Sequence, residues 1–176
     1  MLRSTLQRDA WQVAEDKGHH TNLALIPLRE ASLVRLALLH TEILELAQAK
    51  TPVHRAEELA DICIHLGDFA ETLHLELPGT LGGPEPAECG ERNQQSALLA
   101  MQGLVAASAQ IIKKNGVDVP SQRTVLLGLL CAILSQVETC AQHWHIDLVA
   151  AITAKMAMNR ARPFQYGTPG EQQDAG

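Results

Sequence analysis

HTEILELAQAKTPVHRAEELADICIHLGDF, residues 40–69, is the stretch that decides the fold. Glu42 and Glu45 lie three apart on one side of a short connector, KTPVHR, and Glu58 and Asp61 lie three apart on the other. Residues i and i+3 share a helix face, so each pair projects two carboxylates in one direction. Pro52 interrupts the helix, and the connector is short enough for the second segment to turn back antiparallel to the first. The four acids then converge in one cleft. Unpaired negative charge of that density is costly unless a cation offsets it. A hard divalent ion with oxygen ligands, Mg²⁺ before others, is the natural counterpart. Glutamate pairs at this spacing also occur on solvated faces of amphipathic helices, which is the ordinary alternative.

Working outward from this pair, the remaining chain also reads as helical, and no segment shows the strict alternation of a strand. A first helix is expected over residues 4–17, stopped by Gly18. HHTNLALIP connects it to a second helix over 28–50, with Leu33, Leu36, Ala37, Ile43, Leu44 and Ala47 as its apolar stripe. The third covers 54–77, with Leu59, Ile62, Leu66, Phe69 and Leu73 turned inward. PGTLGGPEPAECGER, residues 78–92, is a Pro- and Gly-rich loop. A fourth helix covers 93–114, a fifth 121–143, and a last one runs from an Asp147 N-cap to Pro163. The fifth is apolar on nearly every side (Val125, Leu126, Leu127, Leu129, Leu130, Ile133, Leu134), which implies burial on several faces and an oligomer interface. The expected fold is an all-α antiparallel bundle of about five to six helices. It forms one domain over residues 1–167, followed by a disordered tail at 168–176.

Composition narrows the partners. The chain has 176 residues and a formal net charge of -6, which argues against an extended nucleic-acid surface. Its five aromatic residues (two Trp, one Tyr, two Phe) are too few for a base-stacking platform of the single-strand-binding kind. At 46% hydrophobic and a mean hydropathy of -0.02 it is globular. Cys63, Cys89, Cys131 and Cys140 form no CxxC pair and match no zinc spacing. No apolar segment follows the basic residue of MLRSTLQRDAWQ, and the longest apolar run, VLLGLLCAIL, is short for a bilayer. A reduced cytoplasm, with no membrane or nucleic-acid partner, is therefore expected.

The last helix, DLVAAITAKMAMNRARP, carries a second constellation. Lys155, Asn159 and Arg162 are spaced i, i+4, i+7 and lie on one face. A lysine head suits a phosphate, an arginine fork suits phosphate oxygens, and an asparagine can both donate and accept toward a sugar or base. The macrodipole also favours cations near a helix C-terminus without any ligand. Acids able to hold a metal, together with a cationic face containing an asparagine, suggest a metal-bound polyphosphate.

These residues resemble the MazG-like, all-α nucleoside triphosphate pyrophosphohydrolases. Members carry an ExxE pair and then an ExxD pair on antiparallel helices, and Glu42, Glu45, Glu58 and Asp61 fit that order. Lys155, Asn159, Arg162 and Pro163 fit a K-xxx-N-xx-R-P segment, followed by Gly167. Trp11, Glu15, Lys17 and Gly18 are similar to the opening of many members. The resemblance covers roughly residues 8–77 and 145–167; between them only helical character matches. It implies cleavage of a (d)NTP between the α and β phosphates, giving a monophosphate and pyrophosphate in nucleotide-pool housekeeping. It also implies Mg²⁺ (Mn²⁺ as a substitute) held by the four acids, and a homodimer or dimer of dimers. Glu42 or Glu45 would orient or deprotonate the attacking water. Lys155 and Arg162 would offset phosphate charge, and Asn159 would contact the nucleoside. Thr41 stands where some relatives have a further acid, which leaves the number of metals open.

The alternative function is a helical-bundle adaptor or nucleotide-sensing module without catalysis. A di-iron carboxylate bundle needs two ExxH motifs, and Glu71-xx-His74 is the one this chain offers. His65 and Asp68 continue the polar stripe of the third helix and could support a metal from one and two turns away. His143 and His145 have no Cys or further His near them in sequence and read as structural, and Lys113 and Lys114 as solvated. Trp11 could stack on a base or anchor its helix to the core.

Overall fold

The structure, a computed structural model, describes residues 1–20, 23–81, 91–117 and 119–163, with the backbone alone for 91–94. Most of the expected 78–92 loop, Cys89, Gly167 and the 168–176 tail lie outside the described residues. The fold is all-α. Its helices are α1 (Arg3–Asp16), α2 (Leu28–Gln48), α3 (Pro52–Thr72), α4 (Glu91–Asn115), α5 (Pro120–His143) and α6 (Leu148–Ala161), with a short 3-10 turn at Leu23–Leu25. The β pairing among the described residues is one isolated bridge, Leu2 to Thr80.

Helix α3 is the axis of the bundle and packs against α1, α2, α5 and α6; α4 lies on α2 and α5. Its inward row, Leu59, Ile62, Leu66, Phe69 and Leu73, is buried as the sequence predicts. Gly67 lets α1 approach closely: an added Cβ would sit 3.2 Å from the Gln7 Cα and 3.3 Å from the Ala10 Cβ. The α2–α3 turn is short because Thr51 caps α3, its hydroxyl accepting from the His54 N–H at 3.1 Å, and Pro52 follows at the first helical position, where no N–H is needed. Gly18 takes the left-handed conformation (φ 76°) that closes α1.

Two expectations are corrected. Helix α3 ends at Thr72, five residues before Leu77. His74 adopts φ 51°, and the Leu75 N–H bonds back to the Ala70 carbonyl at 2.9 Å, a helix closure that glycine usually supplies. In α2 the buried row is Ser32, Leu36, Leu39, Ile43 and Leu46, while Ala37, Leu44 and Ala47 face out. That row alternates steps of four and three, which keeps it on one seam; the expected stripe was wider than α3 and α4 can cover. In α5, Leu126, Leu130, Ile133 and Leu134 are buried within the chain, while Val125 stays exposed.

Helix α4 from Gln95 and α5 are each long and apolar enough to cross a membrane by length and composition, with mean hydropathies of 1.3 and 1.7. The ten-residue run read from the sequence understated this, because the apolar character extends beyond it. Here the two helices pack on each other, and on α2 and α3, through one side.

Two polar clamps at the start of α1 hold one end of the bundle. Gln7 donates to the Leu75 carbonyl at 2.7 Å and accepts from the Leu77 N–H at 3.0 Å, fixing the segment after α3. Arg3 pairs with Glu138 at 2.6 Å, joining α1 to α5.

Candidate metal centre

The antiparallel turn between α2 and α3 brings Glu42 opposite Glu58 and Asp61. One carboxylate oxygen from each of the three lies within 4.8 Å of the others. Glu45, the fourth expected acid, is exposed and outside this triad. It is close enough that its charge still acts on Glu58.

The three acids differ in their surroundings. Glu58 is 5% exposed; its Oε1 faces His54 Nε2 at 2.9 Å, and its Oε2 is buried without a hydrogen-bond partner. Burial, then the charges of Asp61, Glu42 and Glu45, push its carboxyl from 4.5 up to about 7. Glu42 meets His65 Nε2 at 3.3 Å, and that hydrogen bond holds its carboxyl below the usual range against the opposing effect of burial. Burial raises the Asp61 carboxyl; Lys155 offsets part of the rise, its Nζ lying 2.5 Å from Asp61 Oδ2.

Helix α6 supplies this lysine because it packs directly on α3. Its start is set by Asp147, whose side chain accepts from the Ala150 N–H at 2.9 Å, the cap the sequence predicts. Asn159, one turn beyond Lys155, has its Oδ1 buried and without a hydrogen-bond partner. Arg162 follows the last turn, exposed, and its charge reaches His19. Of the three expected ligand-binding residues, only Lys155 makes an ion pair with the triad.

Asp68, two turns along α3 from Asp61, belongs to a different network. His20 Nε2 donates to its Oδ1 at 2.6 Å, and Arg35 Nε donates to its Oδ2 at 3.2 Å. His20 Nδ1 lies 2.7 Å from Glu15. Both ring nitrogens face carboxylates, so the imidazolium is the form that fits. Desolvation pulls the His20 pKa down, but the Asp68 and Glu15 hydrogen bonds outweigh it and leave it raised. With both oxygens engaged, Asp68 is a strut between α3, α2 and the connector, not a spare ligand. Glu71 accepts from Gln7 at 2.6 Å, which ties it to α1, and it forms no metal-ligand cluster with His74 among the described residues.

Beside this network lies a cavity of about 570 Å³, lined among others by Trp11, His20, Leu23, Ile26, Arg35 and Thr72. The Trp11 and His20 rings are 5.3 Å apart. From Asp61 to Thr72 the chain climbs about 16 Å along α3 at 1.5 Å per residue. Sequence reasoning singled out Trp11 and Asp68 but missed His20 and Arg35. The paired histidines after Gly18 were the available signal for His20; an arginine within the apolar run of α2 gave none for its partner.

Oxygen donors alone, one of them buried and unpartnered, fit a hard divalent cation better than zinc or iron. Among the described residues no other group of acids, histidines or cysteines has this geometry. Cys63 is inert by comparison, its thiol pushed up by complete burial. Comparisons of the chain with protein-family models, with curated proteins and with solved structures give no match.

Proposed function

We propose that this chain is a MazG-like nucleoside triphosphate pyrophosphohydrolase, dependent on Mg²⁺ or Mn²⁺, that converts a (d)NTP to a monophosphate and pyrophosphate. The observation that carries the reading is the convergence of Glu42, Glu58 and Asp61, with an oxygen of Glu58 buried and unpartnered, opposite Lys155 on α6. These three acids would hold the ion. When bound, it would clamp phosphate oxygens, offset developing charge and make a water more acidic.

The remaining work falls to the chain's own groups. Glu45 lies outside the triad, so it is the better candidate to accept the proton of the attacking water; Glu42 is held by His65. Water would add at the α-phosphorus, the α–β anhydride bond would break, and pyrophosphate would leave. Lys155 and Arg162 would offset charge on the phosphates. Asn159, with an unsatisfied buried oxygen, suits a sugar or base donor. The cavity beside Trp11 offers an apolar wall to the nucleoside. A cytoplasmic homodimer or dimer of dimers, joined through the uncovered apolar faces of α4 and α5, belongs to the same proposal.

The rival is an adaptor that keeps the fold without catalysis, and the Lys155–Asp61 pair favours it to the extent that it already neutralises part of the triad. A panel of ribo- and deoxyribonucleoside triphosphates with Mg²⁺, with product identification and a chelator control, separates the two. The enzyme releases pyrophosphate from at least one nucleotide and stops on chelation. An inert protein across the panel leaves the adaptor, and inorganic phosphate with a diphosphate as first products would place the cut at the wrong bond.

A further inference from the structure

We propose that Lys155 is the protein's own counter-ion for the acidic triad, and that a divalent cation entering the triad displaces it. This rests on the metal reading above and goes one step beyond it: the lysine is a competitor of the metal before it is anything to a phosphate.

The geometry sets up the competition. Lys155 Nζ lies 2.5 Å from Asp61 Oδ2, and both side chains are largely out of solvent, 13% and 17% exposed. The pair joins two helices, so α6 is tied to the site through this contact. The positive charge of Lys155 also acts on Glu42, across the same small space. A dication coordinated by Asp61 at the usual 2.0–2.1 Å for Mg²⁺ would face the ammonium across one carboxylate, two like charges with little water between them.

The lysine can yield. Its head is a point charge on a flexible four-carbon stem, and it needs no fixed fork geometry to rebind elsewhere. The other basic side chains against the triad are imidazoles on α3 itself, His54 beside Glu58 and His65 beside Glu42, whereas Lys155 reaches it from a different helix. Asp68 shows the contrast: two donors from two elements occupy both its oxygens, and no single side-chain movement frees it. On displacement, Lys155 stays on the α6 face that carries Asn159, where it meets the anionic end of a ligand.

The test is metal binding, not turnover. Mg²⁺ and Ca²⁺ are titrated calorimetrically at pH 8 into wild type, Lys155→Met, Lys155→Gln and Lys155→Arg, each checked for helicity. The neutral variants are expected to bind at least about tenfold tighter, and the arginine variant to stay within about threefold of wild type. In the wild-type protein, acetylation of Lys155 read by mass spectrometry is expected to speed up when Mg²⁺ is added, because the amine leaves its partner. If wild type binds metal but the neutral variants bind equally or more weakly, Lys155 is no competitor and this inference is overturned while the metal site stands. Unchanged acetylation in metal-loaded wild type overturns it as well. If neither wild type nor any variant binds either ion, the metal reading itself fails.

Discussion

Replacing Glu58 by glutamine should stabilise the protein at high pH. The native carboxyl sits at about 7 against an ordinary 4.5, so the fold prefers it protonated. From 4.5 to about 7, at about 1.4 kcal/mol per pH unit, an ionised Glu58 costs on the order of 3 kcal/mol above pH 7. The sign is fixed by linkage. The native state binds the extra proton between the two values, so stability grows as pH falls from about 7 toward 4.5 and the cost is felt in full above 7. Glutamine mimics the neutral acid, and its amide offers a donor to the carboxylates beside it. Because the clustered acids share protons, part of the relief is already taken by Asp61, and a gain of about 1–3 kcal/mol at pH 8 is expected. In a chain of 176 residues that is roughly 2–10 °C in Tm. Urea unfolding of both proteins with a chelator, at pH 5, 7 and 8.5, measures it. The gain should shrink to less than about 1 kcal/mol at pH 5, and added Mg²⁺ should stabilise wild type more than the variant. A variant less stable than wild type at pH 8.5, or a gain equal at all three values, would refute the account of a strained buried acid.

Further outcomes follow from the same geometry. Glu42→Gln, Glu58→Gln and Asp61→Asn should each lower pyrophosphate release by at least about a hundredfold with helicity intact, in steady-state assays with Mg²⁺; near wild-type rates in all three would remove the site. Gly67→Ala should destabilise by about 1–3 kcal/mol in urea, although alanine is the better helix former, because the new Cβ meets α1 backbone at 3.2 Å; a neutral or stabilised variant would mean α1 can step back. His20→Gln should cost about 2 kcal/mol below pH 6.5 and progressively less as pH rises through the raised native value, since a charged His20 stabilises only while it keeps its proton. A pH-independent loss in the same unfolding series would show that His20 acts through packing alone.

Much of the bundle was legible because its signals are local. Pro52, Gly18 and Asp147 act within a turn of the helix ends they set, and the inward row of α3 repeats at helical spacing. Local signals also misled. The apolar residues of α2 span more of its circumference than its neighbours cover, so only the seam could tell Leu39 and Leu46 from Leu44 and Ala47. The end of α3 escaped because His74, not a glycine, takes the left-handed position. At the candidate site, Glu42, Glu58 and Asp61 fall within twenty residues around one turn, so their meeting could be read from spacing. The Asp68 network could not: His20 and Arg35 come from 48 and 33 residues away, and the histidine pair after Gly18 does not say which acid it meets.

The acids along α3 separate by how their charge is answered. Asp68 is answered twice, by a buried arginine and a doubly bonded histidine from two elements; removing either partner leaves a buried charge, so this arrangement serves the fold. Asp61 is answered once, by a lysine on a flexible stem. Glu58 keeps one oxygen with no donor at all, and its remaining partner is a half-exposed histidine. A chain that needed these two acids only for structure would gain by giving them donors like those of Asp68, or by losing their charge to apolar residues of similar volume. Keeping both acids, buried and under-satisfied, beside a third on α2 is a standing cost to stability. A cation bound by all three would offset that cost, and for that reason the triad, and not the better-bonded Asp68 network, is the place to look for chemistry.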